Sequence, residues 1–144
     1  MKISTKGRYA VRMMLDIALH SAFDPISLKD IAKRQDISEK YLEQIIATLN
    51  KAGYVRSIRG PQGGYFLTKE PKEFTVGMIL RTTEGDLAPV SCVGIDGPMC
   101  DKMQDCVTAI VWKRINDAVN DVVDNITLED LVEWQKDKGN DYVI

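Results

Sequence analysis

Residues 27–50 run SLKDIAKRQDISEKYLEQIIATLN and contain two helix beginnings separated by a short turn. Ser27 with Asp30 fits a capping box in its Asp variant, and Ser38 is a residue type preferred at helix N-caps. Residues 35–37 predict a tight turn between the two helices. Two short helices joined in this way are the helix-turn-helix arrangement. The predicted buried stripes are Leu28, Ile31 and Ala32 in the first helix and Tyr41 or Leu42, Ile45, Ile46 and Leu49 in the second.

An amphipathic helix is predicted before this stretch. Residues 5–22 place apolar side chains at intervals of three and four, with Thr5 as the predicted N-cap and Asp24-Pro25 ending the helix. His20, the single histidine of the chain, is predicted to be a helix-end or core residue. The side predicted to be buried comprises Tyr9, Ala10, Met13, Met14, Ile17 and Ala18.

A β-hairpin is predicted after the helix-turn-helix, once Gly53 has ended the second helix. Residues 54–58 and 65–68 have strand-like composition, and the connection at 58–65 reads IRGPQGGY. Its glycines permit left-handed backbone and close approach to another surface, while its proline stiffens one corner. A hairpin in this position is a wing, which can place a cation such as Arg59 in a narrow minor groove.

Formal charge is distributed unevenly along the chain. Residues 1–83 hold 14 Lys and Arg against 8 Asp and Glu, a net +6, whereas residues 84–144 hold 5 against 13, a net −8. Attraction to phosphate depends on charge within about 8–10 Å at physiological salt, so the overall negative charge does not exclude a polyanion partner. The basic half is therefore where we expect a nucleic acid to bind.

The second helix of the helix-turn-helix has a polar face whose residue types suit DNA. Gln44 suits adenine edges, Glu43 can accept from cytosine N4, and Ser38 and Lys40 suit phosphate. A merely solvated face is the alternative, but the neighbouring wing and the basic charge favour DNA contact. The predicted DNA-binding residues are Ser38, Lys40, Tyr41, Glu43, Gln44, Arg59, Gly60, Pro61, Gln62 and Gly63.

The acidic half contains three cysteines in and beside a segment rich in glycine and proline, from Gly85 to about Gln104. Cys92, Cys100 and Cys106 are separated by seven and five residues. Thiolates on a flexible segment can converge on one soft metal centre. The spacing lacks the Cys-x-x-Cys pairs of structural zinc sites, and three unrelated cysteines remain the alternative. No Cys/His pair is evident nearby in the sequence, so we do not expect a cysteine-dependent enzyme.

A long amphipathic helix is predicted from Cys106 onward. Because it exceeds what a small domain needs to cover its own core, we predict that it packs against a second copy in a two-fold dimer; an intrachain core helix is the alternative. A short return helix follows, with Thr127 and Asp130 as its cap pair, and the tail after about Lys136 is predicted to be mobile. The apolar stripe of the long helix comprises Val107, Ile110, Val111, Ile115, Ala118, Val119, Val122 and Ile126.

The composition of the 144 residues, 44% hydrophobic and 28% charged, is typical of a globular chain. No apolar stretch approaches a bilayer span, and the first residues lack a hydrophobic signal core. We therefore expect a cytoplasmic protein without a membrane partner. An odd number of cysteines argues against a disulfide scaffold.

Several segments resemble the Rrf family of bacterial winged-helix transcription regulators. They are MKISTKGRYAV at 1–11, ISEKYLEQ at 37–44, RGPQGGY at 59–65, the three-cysteine loop and NITLEDL at 125–131. The similarity covers roughly residues 1–135 and is greatest to the iron–sulfur cluster regulators of that family. It implies a homodimer that binds a palindromic promoter operator in double-stranded DNA.

The resemblance also implies that Cys92, Cys100 and Cys106 ligate an iron–sulfur cluster, of the 2Fe–2S rather than the 4Fe–4S type. Glu43 would discriminate between promoter classes according to cluster state, and Arg59 would enter the minor groove. Two positions depart from the family pattern. Ala109 stands where the iron–sulfur regulators have a histidine ligand, and Arg8 where nitric-oxide-sensing relatives have an aspartate. The fourth ligand is left open between Asp101, Asp105, a backbone group and a small thiol.

The predicted fold is mainly α with a small β-hairpin wing. Its parts are a winged helix-turn-helix domain at 1–83, a cysteine loop at 84–105, a dimerisation helix with a short return helix at 106–135, and a mobile tail at 136–144. The predicted function is a repressor that senses cluster status. The alternative is a regulator of the same family that responds to nitric oxide, thiol oxidation or a metabolite without a stable cluster. A non-DNA metal or redox protein is a remote alternative.

Overall fold

The computed structural model describes residues 2–95 and 104–141, the last two by their backbone alone. This part of the chain is mainly helical and contains one antiparallel hairpin, which confirms the predicted fold class. Short 3-10 turns lie at Pro71–Glu73 and Ser91–Val93. The elements in chain order are α1 (Thr5–His20), α2 (Leu28–Gln35), α3 (Glu39–Lys51), β1 (Val55–Ile58), β2 (Gly64–Leu67), α4 (Val76–Glu84), α5 (Val107–Asp124) and α6 (Leu128–Asp141).

Most helix beginnings lie where the sequence predicts them. The Ser27 hydroxyl accepts from the backbone N–H of Asp30 at 3.1 Å, and that of Ser38 accepts from Tyr41 at 3.1 Å. The first helix differs, because Ser4 rather than Thr5 is its N-cap. Glu84 explains the difference, since its carboxylate accepts a hydrogen bond from the Ser4 backbone N–H at 3.0 Å and holds Ser4 outside the helix.

The other ends of α1 and α3 refine the prediction. Helix α1 ends at His20 rather than at residue 22, and the Ser21 N–H donates to Ile17 O at 2.9 Å. Helix α3 ends at Lys51, after which Gly53 adopts φ +80°, a backbone conformation that favours glycine.

One hydrophobic core joins the helix-turn-helix to the helices around it. The sequence left open whether Tyr41 or Leu42 is buried on α3, and in the structure Leu42 is buried and Tyr41 is half-buried. The Tyr41 ring lies 5.7 Å from that of Tyr9 in an edge-to-face arrangement. Phe74, before α4, and Leu128, at the start of α6, are fully buried in the same core. The remaining fully or nearly fully buried members include Ala10, Met13, Met14, Ile17, Ile31, Ile45, Ile46, Leu49, Val55 and Ile79.

The wing is a two-stranded sheet whose register runs from Val55 opposite Leu67 to Ile58 opposite Gly64. The segment before α2 extends it, because Ile26 and Tyr65 exchange two backbone hydrogen bonds of 3.0 and 2.8 Å. A Cβ atom at Gly64 would lie 2.5 Å from the carbonyl of Ile26. Only glycine permits this close approach, which fixes the wing against the beginning of the helix-turn-helix.

The C-terminal helices fold back onto the winged domain. Thr127 and Asp130 cap α6 reciprocally, as predicted, with hydrogen bonds of 2.9 and 3.1 Å. Helix α6 continues to Asp141, beyond the end predicted at Lys136. Within the described ranges no helix combines the length and apolar character that a bilayer span requires.

Candidate nucleic-acid interface and cysteine segment

Helix α3 presents a polar side to solvent opposite its buried stripe. Lys40, Glu43 and Gln44 are exposed, Ser38 caps the helix, and Tyr41 is half-buried. In the described part of the chain the side chains of Lys40, Glu43 and Gln44 make no hydrogen bond or ion pair with other residues. Side chains in this state are available to base edges and phosphates.

The tip of the wing is equally accessible. Residues 59–62 are exposed, and a backbone hydrogen bond of 2.9 Å from Gly63 to Gly60 closes the turn. Gly60 adopts φ +120°, which only glycine tolerates without strain. Arg59 has no ion-pair partner among the described residues.

The wing contains a second arginine, Arg56, which was not among the DNA-binding residues predicted from the sequence. Arg56 lies on β1, and its guanidinium carbon is 5.4 Å from the centre of the Phe66 ring on β2. The two residues are directly opposite in the hairpin register. Arg56 therefore adds positive charge along the strand that leads to Arg59.

A buried carboxylate in α1 was also missed by the sequence analysis. Asp16 is 1% exposed, and Arg34 of α2 donates to it through Nη2 at 2.7 Å and through Nε at 3.1 Å. The hydrogen bond to Asp16 raises the pKa of Arg34 above its ordinary value. The available signal was the spacing of Arg12, Asp16 and His20 at four-residue intervals, which places polar groups on one side of α1.

His20 occupies the last position of α1, which confirms the prediction of a helix-end residue. Its Nδ1 donates to the carbonyl of Asp16 at 2.8 Å and lies 3.5 Å from the Asp16 carboxylate. Both contacts are with Asp16 of the same helix, and His20 is distant in sequence from the three cysteines.

Two of the three cysteines lie in the described part of the chain, and Cys100 lies outside it. Cys92 is half-buried in the 3-10 turn Ser91–Val93. Cys106 is half-buried at the N-cap position of α5, with its Sγ 3.2 Å from the hydroxyl of Thr108. The two segments are adjacent, because Val93 and Cys106 line the same cavity of about 290 Å³.

Ala109 and Arg8, the two residues that depart from the family pattern, both lie in the described part of the chain. Ala109 is buried and lines the cavity beside Cys106, and the exposed Asp105 lies at the same cavity. Arg8 is exposed and donates to the Thr5 hydroxyl at 3.0 Å. Asp101 lies outside the described residues. Among the described residues no group of three or more His, Cys, Asp or Glu side chains is arranged to hold a metal ion.

Helix α5 has apolar residues on two opposite sides. The side facing its own chain packs against α4 and the Ser91–Val93 turn. The other side is open, with Val107 76%, Ile110 56% and Val122 57% exposed. The inner side comprises Ala109, Trp112, Asn116, Val119, Asn120 and Val123, and the open side comprises Val107, Ile110, Val111, Arg114, Ala118 and Val122.

An ion pair anchors α5 to the winged domain. Arg81 of α4 donates to Asp124 at 2.9 Å and to Asn120 at 2.8 Å. The hydrogen bond from Arg81 lowers the pKa of Asp124 below its ordinary value. A Cβ atom at Gly77 would overlap the Asp124 carboxylate, so this glycine leaves room for α5 against α4.

The family model for Rrf2, described as an iron-dependent transcriptional regulator, matches residues 3–134. The chain belongs to the Rrf2 family. This confirms the resemblance indicated by the sequence motifs. An Rrf2 relative from Pectobacterium carotovorum, the HTH-type transcriptional regulator IscR, is 44% identical over 132 residues, which cover 92% of this chain and 79% of the relative.

Solved structures of Rrf2 proteins have the same fold. The structure of CymR, described as the global cysteine regulator of B. subtilis, matches with a TM-score of 0.79 and 43% identity over 93% of this chain and 98% of CymR. The structure of T. potens IscR matches with a TM-score of 0.76 and 44% identity over 92% of this chain and 87% of that protein. The chain is therefore an Rrf2-family transcriptional regulator that is similar to both IscR and CymR.

Proposed function

We propose that this regulator binds palindromic promoter DNA as a homodimer, with α3 in the major groove and the wing in the adjacent minor groove. The observation that carries the proposal is that two accessible elements belong to one domain. Helix α3 offers polar side chains, and the wing offers Arg59, that have no side-chain partner among the described residues. The Ile26–Tyr65 backbone pairing holds the wing against the helix-turn-helix. This combination suits simultaneous contact with both grooves.

The dimer is supported by the open side of α5. Large apolar side chains on an exposed helix face mark a protein–protein interface when they form a continuous stripe. On α5 the exposed large apolar residues are Val107, Ile110, Val111 and Val122, which span almost the full length of the helix, with Arg114 and Ala118 between them on the same side. The same helix in a second copy is self-complementary to it, as a two-fold interface requires. A fixed distance between two copies of α3 would then match the half-site spacing of a palindrome.

The proposed signal is the occupancy of an iron–sulfur cluster held by Cys92, Cys100 and Cys106. Thiolates are the donors that such clusters require, and the two described cysteines lie on adjoining segments beside one cavity. When bound, the cluster would supply a redox-active centre whose potential depends on nearby hydrogen bonds and exposure. Asp105 at the cavity is a candidate for the fourth ligand, and Ala109 cannot serve as one through its side chain.

The chain provides a physical connection between the cysteine segment and the DNA-binding domain. Asp86 accepts from the backbone N–H of Ile95 at 2.8 Å, which ties the segment after Cys92 to the end of α4. Glu84, the last residue of α4, accepts from the N–H of Ser4 at the start of α1. A change of order around Cys92 would therefore reach α1 through the end of α4.

A regulator that responds to thiol chemistry or a metabolite without a stable cluster is the second candidate. The alanine at position 109 favours it, because a small apolar residue borders the cavity where a histidine ligand is expected. The described relatives include both IscR and a cysteine regulator, CymR. The two candidates share the DNA-binding surface and differ in what the cysteines do.

Anaerobic purification with iron and sulfide supplied separates these candidates. We expect the parent protein to show visible absorbance that is lost in Cys92→Ala and retained in Ser91→Ala, a matched change at the neighbouring exposed residue. Holo and apo protein are then compared for the duplexes that each enriches from a random library. A colourless parent would support the second candidate, and equal enrichment by both forms would remove the cluster as a switch.

A separate comparison tests the DNA-binding surface. Arg59→Ala should weaken binding to every duplex, whereas Lys136→Ala, which removes an exposed cation from α6, should leave the affinity unchanged. Full DNA affinity in Arg59→Ala would contradict the proposed role of the wing.

A further inference from the structure

Asp16 is the one buried charged or polar residue in the described part of the chain, and the proposed DNA contacts do not include it. Its carboxylate accepts from Arg34 Nη2 at 2.7 Å and Nε at 3.1 Å, and from Gln35 Nε2 at 2.9 Å. Nδ1 of His20 lies 3.5 Å away. A buried carboxylate is stable only when its oxygens are paired, so these partners are fixed in place by Asp16 as much as they stabilise it.

Gln35 is held from a second direction by Arg12. The Arg12 Nε donates to the Gln35 side-chain oxygen at 3.0 Å, and its Nη2 donates to the Gln35 backbone carbonyl at 3.1 Å. Gln35 is the last residue of α2, and Asp36 after it adopts the left-handed φ of 54°. Helix α1 therefore fixes the end of α2 immediately before the turn that gives α3 its direction.

The same group of residues also touches α3. The Arg12 guanidinium carbon is 5.6 Å from the centre of the Tyr9 ring, and the Tyr9 ring packs edge-on against Tyr41. Tyr41 lies in the first turn of α3, beside the residues proposed to contact DNA. The clamp formed by Arg12, Asp16, Arg34 and Gln35 thus reaches both sides of the turn.

We infer that Asp16 is a positioning residue for sequence recognition, which sets the angle of α3 by holding Arg34 and Gln35 at the end of α2. This inference rests on the proposed DNA-binding function. Hydrogen bonds to base edges weaken steeply when donors and acceptors are misaligned, whereas attraction between lysine or arginine and phosphate does not depend on such alignment. Loss of the clamp should therefore reduce discrimination between sequences more than it reduces general attraction to DNA.

The test compares one duplex enriched from a random library by the parent with a scrambled duplex, across a range of salt concentrations. For Asp16→Asn we expect the affinity ratio of the two duplexes to fall by about tenfold, with an unchanged salt slope. Gln35→Ala should lower the ratio by a smaller factor. Asp130→Ala is the control, because it removes the hydrogen bond from the Thr127 N–H that caps α6, away from the turn and from α5, and should keep the parent ratio.

Two results would overturn the inference that Asp16 positions α3. Folded Asp16→Asn and Gln35→Ala proteins with the parent ratio would overturn it, as would an equal fall in the Asp130→Ala control, since that would assign the effect to lost stability. If circular dichroism shows that Asp16→Asn does not fold, Gln35→Ala carries the test, because it keeps the ion pair between Asp16 and Arg34.

A parent protein that enriches no duplex would instead overturn the proposed DNA-binding function. The clamp is then tested without DNA by amide exchange at Ile37, whose N–H donates to Ala32 across the turn at 3.1 Å. Faster exchange in Gln35→Ala than in the parent supports the clamp, and equal exchange refutes it.

Discussion

Lys40 and Glu43 lie about one turn apart on the open side of α3 and carry opposite charges. A lysine that contacts phosphate contributes to affinity on every sequence. We expect Lys40→Ala to weaken binding to all duplexes and to reduce the magnitude of the salt slope by about one. Titration of a selected and a scrambled duplex at several salt concentrations measures both effects. A loss confined to the selected duplex would contradict the phosphate assignment.

Glu43 is expected to act differently, because a carboxylate repels phosphate and is tolerated at the groove only where a base offers a donor. Glu43→Ala should therefore change which duplexes are enriched from a random library, with a smaller effect on the salt slope. Glu39→Ala, at an exposed carboxylate in the same helix, is the control. Identical enrichment profiles for Glu43→Ala and the parent would refute this role.

At the scale of elements, the contact between α4 and α5 depends on the small size of Gly77. A Cβ atom there would overlap the Asp124 carboxylate and would lie 2.8 Å from Arg81 Nη1 and 3.1 Å from Val123 Cγ2. We expect Gly77→Ala to lower the free energy of unfolding by about 1–3 kcal/mol, as overpacking does. Denaturant unfolding measures the change.

Gly139 of α6 provides the matched control for Gly77. A Cβ atom there would have no neighbour within 4 Å. Gly139→Ala should therefore stabilise the protein by up to about 1 kcal/mol through helix propensity alone. A Gly77→Ala protein as stable as the parent would show that α4 and α5 can move apart at this position without lowering the free energy of unfolding.

The ion pair between Arg81 and Asp124 makes the same contact dependent on pH. The hydrogen bond from Arg81 lowers the pKa of Asp124 below its ordinary value of 3.8. The pair therefore stabilises the folded state above that value, and its contribution is lost as the pH falls through the lower pKa of the folded state. Urea unfolding between pH 7 and pH 3 should show a smaller acid-induced loss of stability in Asp124→Asn than in the parent. Parallel curves would contradict a native-state role for the charge. The pair is partly exposed, so the difference is expected to be modest.

At the scale of the whole molecule, the open face of α5 is expected to determine the oligomeric state. Val111 is 48% exposed near the middle of the apolar stripe. Val111→Glu should convert the proposed dimer to a monomer, because it would bury a carboxylate from each copy at the proposed two-fold interface. Sedimentation measures the mass, and the affinity for a palindromic duplex should fall to that for a single half-site.

Gln135→Glu introduces the same charge on an exposed position of α6 and serves as the control for Val111→Glu. It should leave both the mass and the affinity unchanged. A Val111→Glu protein that remains dimeric would place the interface on another surface.

Local signals in the sequence were sufficient for most of the fold. The caps at Ser27, Ser38 and Thr127 were predicted because an N-cap hydroxyl bonds to a backbone N–H within three residues, which makes it a property of adjacent sequence. The wing was predicted for the same reason, since its glycines and proline specify the turn directly. The hydrophobic periodicity of α3 left Tyr41 and Leu42 undecided, because Tyr41 precedes Ile45 by four residues and Leu42 by three, and both intervals fit a helical stripe.

Contacts between distant segments were not predictable in this way. The choice of Ser4 over Thr5 as N-cap depends on Glu84, eighty positions away. The clamp at Asp16 depends on Arg34 and Gln35 in another helix, and a charged residue in an amphipathic pattern is ordinarily assigned to solvent.

By itself the sequence determined the type and order of the elements, most of the capping residues and the family, because these depend on neighbours along the chain. Only the tertiary structure decided which apolar side of α5 is covered by its own chain and which is left open. It alone also showed that α1 fixes the turn before α3. Both outcomes depend on the separation of helices in space, and the same hydrophobic or charged pattern is compatible with several such arrangements.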